Sequence, residues 1–349
     1  MKRSFASLAQ VHDHGADTVI DVRSPSEFAE DHWPGAVNLP VLDDAERARV
    51  GTIYKQDSPF SARVSGAALV SRNAAAHLQG PLADKPGGWQ PLVYCWRGGQ
   101  RSGAFATILQ QVGWRVGLVE GGYRSYRRLV VEYLHDRPMA HRLIVLDGNT
   151  GTAKTELLGL LEGRGVQVLD LEDLAAHRGS LFGAVAHAQP SQKAFESALA
   201  ERLVGFDTSR PVAVEAESSR IGDVLLPPGL WKAMKAAPRI AISAPVAARA
   251  DYLARTYRDA VSDRSRLGAV LTALVPFQGR ELVERWQKLA DAGAMTDLAA
   301  ELVSRHYDPG YARARRARPE PAARLNVERL EADDLERLAD GLLAAMAEL

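Results

Sequence analysis

Twice along this chain a short apolar run breaks into a glycine-rich turn that opens a helix-like stretch. The first is Pro91 to Tyr94, followed by Cys95-Trp96-Arg97-Gly98-Gly99-Gln100-Arg101-Ser102 and the helix-like Gly103 to Val112. The second is Leu143 to Leu146, followed by Asp147-Gly148-Asn149-Thr150-Gly151-Thr152-Ala153-Lys154-Thr155 and the helix-like Glu156 to Glu162. An extended run that passes through glycine into a helix is the building unit of a parallel sheet, because parallel strands need a crossover. Ligands of such sheets sit beyond the C-terminal ends of the strands, where both turns lie.

Neighbouring segments repeat the alternation. Thr18 to Val22 reads as a strand, and Ser24, Pro25 and Glu27 follow in the order of an N-cap, a first-turn proline and a capping acid. His32 to Pro40 reads as a turn entering another strand, and Arg115 to Val119 as one more. Past the break at Asp136 to Arg142, strands are expected at Val166 to Leu169, Val212 to Val214 and Ile240 to Ile242. After about Pro245 the spacing is helical, notably over Arg280 to Asp291, Thr296 to His306 and Leu330 to Leu349. At 349 residues the chain is long for one core. The expected division is therefore 1–136 and 137–349, an α/β domain carrying the Cys95 loop and a second α/β domain with a helical C-terminal part.

Composition excludes more than it identifies. Lys plus Arg and Asp plus Glu both number 43, so overall charge gives no support for a polyanionic partner. One cysteine permits neither an intrachain disulfide nor a Cys-rich metal site and fits a reducing compartment. No apolar leader follows Met1-Lys2-Arg3 and no stretch could span a bilayer, so a cytoplasmic protein without membrane attachment is expected.

Cys95 faces backbone N–H groups and the positive end of a helix, both of which favour thiolate. Cys95, Arg97 and Arg101 are the catalytic candidates, with Trp96, Gly98, Gly99, Gln100 and Ser102 completing an anion cradle. The plain alternative is a small buried hydrophobe. Gly148 to Thr155 has the form of a P-loop, whose N–H groups and Lys154 hold a diphosphate. Ala153 stands where the second glycine is expected, and its methyl could crowd the phosphates. Glu215 and Glu217 end a strand. They could hold a metal or act as acid/base or substrate-contact groups, or be solvated loop charges; no metal ligand is assigned. Asp170, His177, Arg178 and Ser180 follow another strand on the ligand side, and Gln189-Pro190-Ser191-Gln192 caps a helix through Phe195 and Leu199. Arg127 and Arg128, and the group Tyr307, Tyr311, Arg313, Arg315 and Arg316, combine arginine with aromatic rings as RNA surfaces do, although charge runs are usually solvated faces.

The ordered motifs resemble a known family. Asp21-Val22-Arg23-Ser24-Pro25-Ser26-Glu27-Phe28, His32 to Asn38, the Cys95 loop and Glu120-Gly121-Gly122-Tyr123 are similar to a rhodanese domain. Joined to the P-loop, to Gly51-Thr52-Ile53-Tyr54-Lys55-Gln56, to His177-Arg178-Gly179-Ser180 and to Gln189 to Gln192, they resemble the tRNA 2-selenouridine synthases from about Val19 to about Tyr311. The resemblance implies replacement of sulfur by selenium in wobble 2-thiouridine of tRNA. Geranyl diphosphate first alkylates the sulfur, and selenium from selenophosphate then displaces geranylthiol. It implies two co-substrates and no tightly bound cofactor. On this view Cys95 attacks selenium, releases phosphate and carries the selenium, while the P-loop domain prepares the recipient. The Cys95 to Arg101 spacing is one residue longer than in common sulfur-transferring rhodaneses and equals the Cys-x5-Arg spacing of cysteine phosphatases. A thiosulfate-type sulfurtransferase or such a phosphatase, each with an accessory P-loop domain, is the alternative, and a non-catalytic tRNA-binding adaptor is a third.

Overall fold

The structure, a computed structural model, describes residues 1–177, 188–258, 263–315 and 318–349. The chain divides into two compact units, Met1–Pro138 with Pro190–Gly205, and Met139–Gln189 with Phe206–Leu349. The expected break at 136/137 thus lies two residues early, and 190–205 leaves the expected second domain for the first unit. The cause is the helix Gln192–Val204, N-capped by Ser191, which buries Phe195, Leu199 and Leu203. Its Glu196 carboxylate pairs with Arg127 and accepts from His135 at 3.2 Å, and Lys193 reaches Glu30 at 2.5 Å. Apolar spacing reveals such a helix but not the partner for its face.

In the first unit β1 (Lys2–Arg3), β2 (Thr18–Asp21), β3 (Val37–Asn38), β4 (Pro91–Tyr94) and β5 (Gly117–Val119) form a parallel sheet in the order β1-β5-β4-β2-β3. Central β4 is buried throughout, which is why it reads as an unbroken apolar run. The helix Pro25–Glu30 begins as expected, with the Ser24 N–H donating to Glu27 at 3.2 Å. The helix after Cys95 spans Gln100–Val112, three residues earlier than expected, so Arg101 and Ser102 ride on its first turn.

In the second unit β6 (Leu143–Gly148), β7 (Gln167–Leu169), β8 (Val212–Glu215), β11 (Arg239–Ser243) and β12 (Ala323–Asn326) form a parallel sheet in the order β12-β11-β6-β8-β7, beside a hairpin of β9 (Arg220–Ile221) and β10 (Val224–Leu225). β12 corrects the all-helical reading of the C-terminal part. An edge strand of alternating half-buried and exposed residues, with Arg324 and Asn326 outward, carries no apolar run to reveal it. The helix Arg280–Asp291 matches its expected bounds, whereas Met295–Leu302 passes into a π-helical turn at Val303–Tyr307. The helix Ala332–Ala347 packs Leu335, Leu338 and Leu342 into the sheet core. Among the described residues no helix is long and apolar enough to cross a membrane.

Candidate functional site

β4 ends at Tyr94 and places Cys95 beneath the first turn of the helix Gln100–Val112, where the residue is 3% exposed. The Ser102 hydroxyl donates to Sγ at 3.2 Å. Burial pushes the thiol up, but the Ser102 hydroxyl, the Ser102 and Arg97 N–H groups and the Arg101 charge outweigh it, leaving Cys95 below the ordinary cysteine value. With one cysteine in the chain, ultraviolet thiolate absorbance reports this group alone. Its midpoint is expected below that of a free cysteine, and Ser102→Ala is expected to move it up.

Arg101 is held by Glu27, at 2.6 Å and 3.4 Å from its two guanidinium nitrogens. Burial pushes the Glu27 carboxyl up, and Arg101 pulls it below the usual carboxylate range. The residue read as a helix cap therefore also positions the loop arginine, a role that no local spacing could signal. Arg97, Gly99 and Gln100 are exposed, Gly98 is half-buried, and the half-buried Trp96 ring lies 5.2 Å from Tyr123. The guanidinium of Arg23, buried on Asp21, sits 4.0 Å over that tyrosine.

Two glycines interlock beneath the loop. Gly98 and Gly122 have φ of +65° and +59°. A Cβ on Gly98 would lie 2.5 Å from the Val119 carbonyl, and one on Gly122 would lie 2.2 Å from the Cys95 carbonyl. The Tyr123 N–H donates to that same carbonyl at 2.8 Å. Gly122→Ala is therefore expected to cost roughly 2–5 kcal/mol, from left-handed strain plus overpacking, read as a lower urea midpoint.

In the second unit β6 enters the phosphate loop and the helix Lys154–Gly163 leaves it. Lys154 Nζ donates to the Gly148 carbonyl at 3.0 Å, Thr152 Oγ1 to the Asn149 carbonyl at 2.9 Å, and Thr155 Oγ1 to Glu172 at 3.0 Å. Gly151 adopts φ 86°. Ala153 adopts φ 58°, the backbone that explains a glycine preference, while its methyl joins the apolar cluster that includes Leu157. Ala153→Gly relieves about 1 kcal/mol of strain and loses about 0.8 kcal/mol of burial, so thermal stability is expected to stay nearly level.

The helix Asp308–Arg315 is fastened to this loop. Asp308 accepts from Asn149 at 2.8 Å and from Arg249 at 2.9 and 2.7 Å, and the Tyr311 hydroxyl meets Thr150 Oγ1 at 3.4 Å. Arg315 donates to Asp147 at 2.7 Å and to Asn149 at 2.5 Å. Tyr311 and Arg315, expected as RNA contacts, are found bonded to the phosphate loop instead. Asp308 and Arg249 were missed because their partners lie far away in sequence.

Among the described residues four cavities touch the loop, one of them a polar cleft of ≈ 230 Å³ beside Asp147, Asn149, Thr152 and Arg239. A cleft of ≈ 350 Å³ includes Lys154, Thr155, Glu172, Glu217, Tyr252 and Tyr311 in its lining. A larger one of ≈ 550 Å³ collects Glu217, Phe277, Tyr307, Tyr311, Arg313 and Arg315. An apolar pocket includes Leu267, Met295, Leu298 and Leu302, and shares Thr150, Leu253 and Tyr257 with the ≈ 350 Å³ cleft.

The strand-end carboxylates differ in kind. Glu215 is 1% exposed and its Oε1 accepts the N–H groups of Leu171 and Glu172 at 2.6 and 2.9 Å. Burial and Asp170 push it well above the usual range. Asp170 caps Asp173 N–H at 2.8 Å and is pushed up to about 6 by burial. Glu217 reaches the clefts, and burial with Glu172 pushes it up to about 7. The His177 N–H donates to the Glu172 carbonyl at 3.0 Å. Arg178, Ser180 and Arg316 lie outside the described residues. In the first unit Arg127 is engaged by Glu196 and the Lys193 carbonyl, whereas Arg128 is exposed.

A family model for a rhodanese-like domain matches residues 4–129, and one for a tRNA 2-selenouridine synthase AAA domain matches residues 141–273. A protein of Nitrosomonas europaea named tRNA 2-selenouridine synthase is 40% identical over 248 residues, 69% of this chain and 64% of its own. A Hahella chejuensis protein of the same name is 38% identical over 68% of this chain and 63% of its own. Those matches span a little under two thirds of each relative's length. A Shewanella denitrificans protein, again of that name, is 32% identical over 328 residues, covering 85% of this chain and 88% of its own. With a rhodanese-like unit carrying Cys95 and a P-loop unit following it in sequence, the chain belongs to the tRNA 2-selenouridine synthase family.

Proposed function

We propose that this chain is a cytoplasmic transferase that converts wobble 2-thiouridine of tRNA to 2-selenouridine, by S-geranylation from geranyl diphosphate and then selenation from selenophosphate. The observation that carries the reading is the phosphate loop with an apolar pocket of ≈ 60 Å³ opening beside it, room for the first carbons of a prenyl chain. A diphosphate held by Lys154 and the loop N–H groups would direct a hydrocarbon tail past Thr150, Leu253 and Tyr257 toward Met295 and Leu298. In the first step the thiouridine sulfur attacks geranyl C1, and the C–O bond breaks with its pair leaving on diphosphate. Lys154 and the helix N-terminus stabilise that charge. Geranylation also turns the sulfur into a better leaving group.

Electron counting changes what Cys95 does. Selenium in selenophosphate is already at the selenide level, so thiolate attack on selenium would expel phosphite, not phosphate. Attack on phosphorus balances. An S–P bond forms, the P–Se bond breaks with its pair on selenium, and water later frees phosphate from Cys95. The Cys-x5-Arg spacing of cysteine phosphatases suits this tetrahedral group, with Arg101 supplying charge from the first helical turn. The released selenide attacks C2 of S-geranyl-2-thiouridine and expels geranylthiol. The test is nucleoside mass spectrometry of a 2-thiouridine anticodon stem-loop RNA given selenophosphate, with and without geranyl diphosphate. 2-Selenouridine that depends on geranyl diphosphate is expected, and its absence in both samples would end the reading.

A further inference from the structure

S-alkylation of 2-thiouridine leaves a proton to be placed. Once sulfur carries a geranyl group, C2 is doubly bonded to N3, and the N3 proton must go to a base. Glu217 lies just past the end of β8 and lines both the phosphate-loop cleft and the ≈ 550 Å³ cleft. The larger cleft is furnished for a nucleobase. Phe277 is 76% exposed there, Tyr311 offers a second ring, and the exposed Arg313 offers charge to the flanking phosphates. The reacting carbon and the acceptor base would therefore approach the loop from its two sides, with one carboxylate at the junction.

Resting on the geranyl-transfer reading above, we propose that Glu217 is the catalytic base that accepts the N3 proton of 2-thiouridine as its sulfur is alkylated. The step balances: sulfur gains the geranyl carbon, diphosphate leaves with the C–O pair, and the N3–H pair becomes the C2–N3 double bond as Glu217 Oε takes the proton. Glu215 is unsuited to this role, since one oxygen is committed to the Leu171 and Glu172 N–H groups and the residue is sealed from the cleft by burial.

The surroundings also suit the task. Burial and the neighbouring Glu172 raise Glu217 to about 7, against the opposing pull of Lys154. A base near the working pH serves best, because it is both ionised and able to hold a proton. Other charged groups around the two clefts are Asp147 and Glu156, Arg305, Arg313, Arg315 and Arg318. The cleft histidine, His306, is pushed below its ordinary value by burial.

The test is single-turnover geranylation of a 2-thiouridine stem-loop RNA by the full chain across pH. Wild type is expected to lose rate as pH falls through about 7. Glu217→Gln is expected to lose that acid limb and roughly 100-fold or more in rate. Its KM for geranyl diphosphate is expected to hold or fall, since a negative charge beside Lys154 is removed. Glu172→Gln, which keeps the base but removes the charge that raises it, is expected to move the acid limb to lower pH. A Glu217→Gln protein within threefold of wild type, or one slowed with its acid limb intact, overturns the assignment alone. No alkylation by wild type overturns the assignment and the geranyl reading together.

Discussion

Changing Cys95 to serine is expected to stop 2-selenouridine formation while S-geranyl-2-thiouridine accumulates. The thiol is the one acidic group in the loop Cys95 to Ser102, and the Ser102 hydroxyl, loop N–H groups and Arg101 are arranged to favour its anion. A serine hydroxyl in the same place stays protonated, so the nucleophile is lost while the volume hardly changes. A fall of roughly 1,000-fold or more in selenation is expected, as when a nucleophile is removed from a site whose other parts persist. The melting temperature should move little, because the exchange deletes no methylene from the buried position. Intact mass then separates the two directions of attack. Wild-type chain quenched after mixing with selenophosphate should carry a phosphoryl group, with selenide released; a selenium adduct with no phosphoryl group would mean that attack occurs at selenium. Absence of the phosphoryl adduct in Cys95→Ser would place it on the chain's one cysteine. Undiminished selenation by the serine variant would return Cys95 to the role of a core residue, which its 3% exposure alone would permit.

How much of this could be read beforehand depends on the range of the interaction. Both central strands and both loops were legible, because a fully buried parallel strand is a continuous apolar run and the turn after it needs glycine. Gly98 and Gly122 could be placed in motifs, but their mutual need could not, since the clash lies between backbones 24 positions apart. Glu27 reads as a capping acid from Ser24 three residues before it, while its grip on Arg101 is a contact across 74 positions. Tyr311 and Arg315 read as an RNA surface in the sequence because an aromatic beside arginines has that look. Their bonds to Thr150, Asn149 and Asp147 depend on a fold that brings the chain back across the phosphate loop. The apolar pocket left no trace in any motif. Leu253, Leu267, Met295 and Leu298 belong to no motif, and only the fold sets them in one pocket with Thr150.

Lys154→Ala is expected to produce the opposite defect. The lysine amine now donates to the Gly148 carbonyl at 3.0 Å, which holds it at the mouth of the loop where a diphosphate would compete for it. Losing that bond should cost stability about 1 kcal/mol, too little to unfold the unit. Losing the charge that meets the departing diphosphate should slow geranylation by roughly 100- to 1,000-fold. Lys154→Arg should rescue little, because a planar guanidinium cannot occupy the same point position inside a tight loop. If RNA already bearing S-geranyl-2-thiouridine is supplied, Lys154→Ala should form 2-selenouridine at the wild-type rate while Cys95→Ser forms none. Full geranylation by Lys154→Ala would remove the phosphate loop from the reaction, whatever became of the later step. The two variants together then ask whether the intermediate travels. Neither should make 2-selenouridine alone from thiouridine RNA and both donors, so product from their mixture requires geranylated RNA to leave one molecule and enter another. A mixture that stays inactive, when each variant performs its own half-reaction, would mean that RNA is not released between the steps.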